Sequence, residues 1–247
     1  MKHILIIKRY FLISRLLCIY VLFASCANLN AQVLISLLLG DDLNSNKIEF
    51  GLVGGFNQSY FRDVAEANGL NNYNLGFYFH INLKNDSYLS TGVLVKSNVG
   101  ATGMPTYPIG NEDFDDLFQD GILTTKMNYF YVPILYHHRF NNRWYLEGGF
   151  QPGLRSKAYD IFEKSLQDGD LSYKVDVRDQ YARLDVGLLG GIGYKFRKQV
   201  KSTSAGINYY YGLVNVSKLP DATIRNSSLY VYIKIPIGVG SKEESVK

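Results

Sequence analysis

The sequence predicts an all-β fold: an eight-stranded antiparallel up-and-down transmembrane β-barrel with short periplasmic turns and long extracellular loops. Three observations predict it. Eight stretches alternate apolar and polar residues over 11 to 17 positions. Soluble strands usually run about five or six residues, whereas a tilted strand crossing a membrane needs about 9–11. The connections between the stretches alternate short and long, the pattern of a barrel whose short turns lie on the periplasmic side. The chain also opens on a segment built like a secretory leader.

Side chains in a strand point to opposite faces with period two, so each stretch has an oily and a polar side. The first, 47–59, sets Ile48, Phe50, Leu52 and Phe56 against Lys47, Glu49 and Asn57. The second, 72–84, sets Tyr73, Leu75, Phe77, Phe79, Ile81 and Leu83 against Asn72, Asn74, Tyr78, His80, Asn82 and Lys84. The third, 88–98, sets Leu89, Val93 and Val95 against Ser90, Lys96 and Asn98. In the fourth, 128–140, Phe130, Val132, Ile134, Tyr136 and Phe140 are expected to face out, with Tyr131, His137 and Arg139 inward. The fifth, 143–159, is the longest. Its oily side is Trp144, Leu146, Phe150 and Leu154, and its polar side Tyr145, Glu147, Gln151, Arg155 and Lys157.

The sixth, 181–196, opposes Leu184, Val186, Leu188, Ile192 and Tyr194 to Arg183, Asp185 and Lys195. The seventh, 202–215, opposes Ile207, Tyr209, Tyr211 and Leu213 to Ser204, Asn208 and Tyr210. The eighth, 227–239, opposes Leu229, Val231, Ile233, Ile235 and Ile237 to Tyr230, Tyr232 and Lys234. Short turns are expected at 85–86, 141–142 and 198–201, and long loops at 60–71, 99–127, 160–180 and 216–226. An even strand number lets the last strand close on the first, leaving no edge in lipid. Aromatic residues on the oily faces, such as Trp144 and Tyr194 at one end and Tyr73 and Tyr209 at the other, suit the two headgroup levels. Pro133, Pro152 and Pro236 fall inside strands and each removes a ladder donor, so bulges or breaks are expected there.

Residues 1–31 have the parts of a signal peptide: Lys2, Lys8, Arg9 and Arg15, then the apolar run 16–27, then a small residue, Ala31, before Gln32. The run is too short for a transmembrane helix, which needs about 20 residues. A rival cut would make Cys26 the lipidated residue of a lipoprotein. The expected organisation is signal peptide 1–31, periplasmic N-terminal segment 32–46, barrel 47–240 and C-terminal tail 241–247. The chain has 26 basic and 22 acidic residues; four basic residues and no acid lie in 1–31, so the rest balances at 22 against 22. That balance gives no support to nucleic-acid binding. Both cysteines, Cys18 and Cys26, lie in the leader, so the mature chain has no disulfide framework or thiol site.

An eight-stranded barrel is just wide enough for side chains to fill. The expected fill is His80, Lys96, Arg139, Glu147, Arg155, Lys157, Arg183, Asp185, Lys195 and Lys234, with Tyr78, Tyr145, Tyr210, Tyr230 and Tyr232. Their charges are expected to pair, with Arg155 opposite Asp185. The acidic residues Glu112, Asp113, Asp115, Asp116 and Asp120 lack the spacing of a calcium loop and read as a solvated external loop. His137 and His138 are adjacent, so they face opposite ways and cannot act as one pair. No Ser-His-acid group can be assembled, and no Gly-rich phosphate loop appears. Catalytic, cofactor and metal residues are all expected to be none.

Four segments carry a family resemblance: 129–135 (YFYVPIL), 144–149 (WYLEGG), 185–194 (DVGLLGGIGY) and 209–213 (YYYGL). They resemble the PorT-like outer-membrane β-barrel family, over essentially the whole mature chain. The resemblance implies the outer membrane of a Gram-negative cell envelope, reached by export and signal-peptide cleavage, and a link to a protein secretion and gliding apparatus. It offers no catalytic residues. The chain departs from many such barrels in ending Glu244-Ser245-Val246-Lys247 rather than on an aromatic residue. The expected function is non-enzymatic: a structural, envelope-accessory or loop-mediated binding role. The expected partners are outer-membrane lipid and an envelope or secretion-complex protein met through loops or turns. The alternative is a lipid-modifying barrel enzyme, which needs a nucleophile and base on the lipid-facing surface or upper rim.

Overall fold

The structure, a computed structural model, describes residues 48–84, 86–140, 143–166, 169–198, 201–220 and 222–237. The expected leader 1–31, the segment 32–46, the tail 241–247, Asn85 and the turn Asn141-Asn142 lie outside the described residues. Among the described residues there are ten strands: β1 (Ile48–Phe61), β2 (Asn68–Lys84), β3 (Ser87–Met104), β4 (Ile122–Tyr131), β5 (Ile134–Phe140), β6 (Trp144–Leu166), β7 (Gly169–Asp176), β8 (Leu184–Lys195), β9 (Ser204–Gly212) and β10 (Asn226–Pro236). One short helix, α1 (Glu112–Phe118), lies between β3 and β4.

Every pairing is antiparallel, and the order closes. β1 pairs with β2, β2 with β3, and β3 with both β4 and β5. Both of these pair with β6, which pairs with β8, then β9, β10 and β1 in turn. Among the described residues the ring of strands, β7 apart, therefore closes without a free edge, as a sheet in hydrocarbon requires.

Ten strands stand where eight were expected, for two reasons. Pro133 has no N–H, and the fourth expected strand breaks at Val132 and Pro133 into β4 and β5. The stretch 160–180, expected as a loop, instead carries β6 on to Leu166 and returns as β7, which pairs with β6 alone. Pro152 shares the first break. Val132 N donates to Pro152 O at 2.8 Å, and a strand residue's N and O point the same way. The missing donor of Pro152 thus faces the gap left by Pro133, while the β6–β8 register runs unbroken through it. Pro236 ends β10.

The expected inside and outside hold for most positions. Phe56, Leu75, Trp144, Leu146, Phe150, Leu188 and Val231 are exposed, while Tyr78, His80, Glu147, Asp185, Tyr210 and Lys234 are buried. Three expected lumen residues face elsewhere. A register shift between Leu94 and Ser97 turns Lys96 out to meet the exposed Tyr73 hydroxyl. A shift between Asn128 and Tyr129 leaves Lys157 exposed. Arg183 precedes β8 and is exposed. A bulge inserts one residue and inverts the alternation beyond it.

The inward tyrosines explain the inward glycines. Tyr78 pairs with Gly51, Tyr131 with Gly153, Tyr145 with Gly193 and Tyr232 with Gly206. In each pair the ring lies over the bare backbone: a Cβ on Gly51 would sit 2.7 Å from Tyr78 Cζ, and one on Gly206 2.7 Å from Tyr232 Cζ. Aromatic cover of a cross-strand glycine fixes register and lets bulky rings fit a narrow lumen.

Candidate functional site

The lower lumen, near the short turns, is built from seven strands around two carboxylates. Glu147 on β6 accepts from Lys234 Nζ at 2.8 Å, Tyr232 OH at 2.8 Å and Asn208 Nδ2 at 2.7 Å, and lies 3.3 Å from His137 Nδ1. Glu49 on β1 accepts from Tyr78 OH at 2.7 Å and lies 3.6 Å from both His80 Nδ1 and Lys195 Nζ. The two histidine rings meet at 4.7 Å, and His137 stacks on Tyr145 at 4.2 Å. Tyr145 OH lies 3.1 Å from Tyr232 OH. All these groups are buried. A buried charge is tolerated only when paired and hydrogen-bonded, and here two carboxylates face two ammonium groups.

The periodicity placed His80 and Glu147 in the lumen but did not bring them together. Counting outward from a two-residue turn at 141–142 would set His137 opposite Leu146. The observed register is one residue longer and sets it opposite Glu147, so only the strand pairing brings the two together. His80, His137 and Glu147 have ligand atoms within 4.8 Å of one another, the only such group among the described residues. The chemistry disfavours a metal there. Both Glu147 oxygens already accept protein donors, and a divalent ion would add two uncompensated charges beside Lys234. Zinc is expected to leave the melting temperature unchanged; a saturable rise on titration would show that the trio binds it.

Higher in the lumen, Asp185 Oδ2 accepts from Tyr131 OH and Asn226 Nδ2, both at 2.8 Å. The expected Arg155–Asp185 pair does not form. Asp185 is opposite Gly153, and the Arg155 guanidinium donates to the carbonyls of Ala182, Arg178 and Tyr181 at 3.1, 2.8 and 3.1 Å. The loop before β8 folds over the wall and takes the cation. Tyr129, Tyr131, Tyr145, Tyr210, His137, Gln151 and Lys195 are all sealed from solvent. The cavity bordered by Asn74, Glu147, Gln151, Asn208, Tyr230 and Lys234 holds about 50 Å³, room for a few waters and for no larger substrate. His138 lies on the outer face, with Nδ1 2.9 Å from Ser87 Oγ, which is 2.8 Å from Tyr136 OH.

At the long-loop end, β6 and β7 extend as a hairpin against α1. Phe118, Leu123 and Phe162 form a second core, with Tyr107, Leu171 and Val175 packed on it. Phe114 and Tyr173 meet at 4.9 Å, and both remain more than a third exposed, as does Leu117. Four of the five acidic residues noted in the sequence fall in α1. Asn111 caps it, and Asp115 accepts from Ile109 N at 2.7 Å. Carboxylates in a first turn suit the positive end of a helix, which accounts for the cluster without an ion. Beyond β7, Arg178 bonds the Asp176 carboxyl at 2.9 Å and holds it below its ordinary value.

A closed antiparallel wall with an oily outside and a filled polar inside defines a transmembrane β-barrel. The chain belongs to the outer membrane protein beta-barrel domain family, whose model matches residues 30–218. It is thereby a protein of the outer membrane. No curated protein matches the chain. Among solved structures it is similar to Ail, the attachment invasion locus protein of Yersinia pestis, in complex with the heparin analogue sucrose octasulfate. That match has 14% identity and TM-score 0.42, over 76% of this chain and 97% of that one. It is also similar to Neisserial surface protein A, at 10% identity and TM-score 0.39 over 76% and 96%. OprG from Pseudomonas aeruginosa matches at 11% identity and TM-score 0.35, over 77% and 94%.

Proposed function

We propose that the protein is a plugged, non-enzymatic barrel that works by binding through its extracellular lobe. Eight staves cross the bilayer in this reading, β4 and β5 forming one stave and the β6–β7 hairpin standing outside. The observation that carries it is the lumen, filled by the Glu147 and Glu49 networks below and by the tyrosines around Asp185 above. Binding is left to the outer end, where Phe114 and Leu117 of α1 and Tyr173 of the hydrogen-bonded β6–β7 hairpin offer an apolar patch. The purified barrel is expected to pass no steady current in a planar bilayer. A persistent open-channel conductance would overturn the plug. Residues 1–31 are removed on export in this proposal, and the intact mass of the mature protein checks the cut.

The PorT-like segments, such as 185–194, support a place beside a secretion apparatus. A pull-down from gently solubilised membranes tests that, with the Phe114→Asp/Tyr173→Asp variant expected to lose the partner. One observation favours the lipid-modifying reading: Ser87 and His138 are a hydroxyl–imidazole pair on the outer face. A nucleophile needs such a base and a third group to orient it; no carboxylate bonds His138 among the described residues. An altered lipid profile in a Ser87→Ala strain would favour that reading.

A further inference from the structure

The oily face of the barrel has a hollow that the proposed function does not use. Register sets Tyr136, Gly148, Gly190 and Tyr209 side by side across β5, β6, β8 and β9. The next outward row toward the short turns is His138, Leu146, Ile192 and Ile207; the row on the other side is Ile134, Phe150, Leu188 and Tyr211. Two neighbouring strands therefore lack a side chain at one height, between two tyrosines. The groove over them measures about 1000 Å³.

The inward glycines make room for rings or for close backbone. Gly148 and Gly190 do neither: a Cβ on them would meet nothing nearer than backbone oxygens at 3.9 and 3.7 Å. The space they leave opens only to what surrounds the barrel. Below the hollow, Trp144 and Tyr194 form the row nearest the turn, their rings 5.0 Å apart. Arg143 Nη1 donates to Tyr194 OH at 2.6 Å, so a guanidinium stands at the foot of the same column. Two residues along a strand span about 6.7 Å, which puts the glycine pair about 13 Å from the Trp144–Tyr194 row. That lies within one leaflet of a hydrocarbon core about 30 Å thick.

The geometry points to a seat for one phospholipid on this face. Its phosphate lies against Arg143 at the headgroup level of the periplasmic leaflet, and one acyl chain runs between Leu146 and Ile192 into the glycine hollow beneath Phe150 and Leu188. Arginine suits a phosphate because its planar fork can bond two oxygens at once. The chain end needs only an apolar slot, which the missing side chains supply. The seat rests on the outward face meeting lipid, the same premise as the barrel itself.

Trp144, the only tryptophan in the sequence, stands beside the seat and reports on it. The full chain in detergent is titrated with phosphatidylglycerol brominated on its acyl chains, and Trp144 quenching is followed. Quenching is expected to saturate near one lipid per chain. Gly148→Leu/Gly190→Leu is expected to weaken it about tenfold, and Arg143→Gln about fivefold, each tenfold being about 1.4 kcal/mol. Gly148→Ala, which adds one methyl group in open space, keeps the test alive should the double variant not fold, and is expected to weaken binding about threefold. Quenching that rises linearly without saturation, alike in all variants, would overturn the seat and leave the barrel in lipid. An absence of quenching even in vesicles of brominated phosphatidylglycerol would overturn both, since Trp144 would then not face lipid.

Discussion

Glu147→Ala is expected to lower the free energy of unfolding by about 3–5 kcal/mol, the cost of leaving a buried ion without its partner. The carboxylate is the acceptor for Lys234, Tyr232 and Asn208 and the neighbour of His137. Its removal leaves the Lys234 ammonium buried beside Tyr78, Tyr145 and Tyr232 rings at 5.7, 5.9 and 4.9 Å, which offer only a small part of an ion pair's attraction. Urea titration of the barrel in vesicles, followed by gel migration with and without boiling, measures the loss. The double variant Glu147→Leu/Lys234→Met is expected to recover more than half of it. Replacing both ions by apolar groups removes the desolvation cost along with the pair. A loss below about 1 kcal/mol in the single variant would mean that water reaches the site and the lumen is not sealed.

Gly193→Val carries the second largest expected effect, about 3 kcal/mol, at the upper end for overpacking a filled core. A Cβ there would stand 2.6 Å from Tyr145 Cε2. The ring must leave, and with it go the stack on His137 and the hydroxyl contacts to Tyr232 and Ser204. Tyr145→Ala in the same background is expected to restore part of the stability, since it empties the space the valine needs. Gly148→Val serves as the control. Its outward Cβ meets nothing within 3.8 Å, so it is expected to cost under about 1 kcal/mol. Equal losses in the two single variants would show that strand flexibility, and not the tyrosine over the glycine, is what Gly193 supplies.

The periodicity made most of the wall legible. It put Trp144, Leu146, Phe150 and Leu154 outside and Tyr145, Glu147 and Gln151 inside, as observed, because a two-residue repeat needs no tertiary information. It could not see bulges. Lys96 and Lys157 alternate correctly with their neighbours in sequence, yet each lies beside a register shift that only the pairing of two strands defines. The strand count failed for a related reason. Pro133 announces a break, but whether the halves part depends on what Pro152 leaves open across the gap. The polar stretch 160–180 reads as loop until Phe118 and Phe162 give the β6–β7 hairpin something to cover.

By itself, then, the sequence determined the solvent of this protein: long alternating runs bury one face in lipid and one in a lumen, a consequence of local geometry alone. The tertiary structure decided which lumen groups meet. Glu147 receives donors from β9 and β10, strands more than 50 residues away, and Arg155 bonds loop carbonyls in place of Asp185. Partnership across a barrel is fixed by closure and stagger, which are properties of all the strands together and of no single stretch.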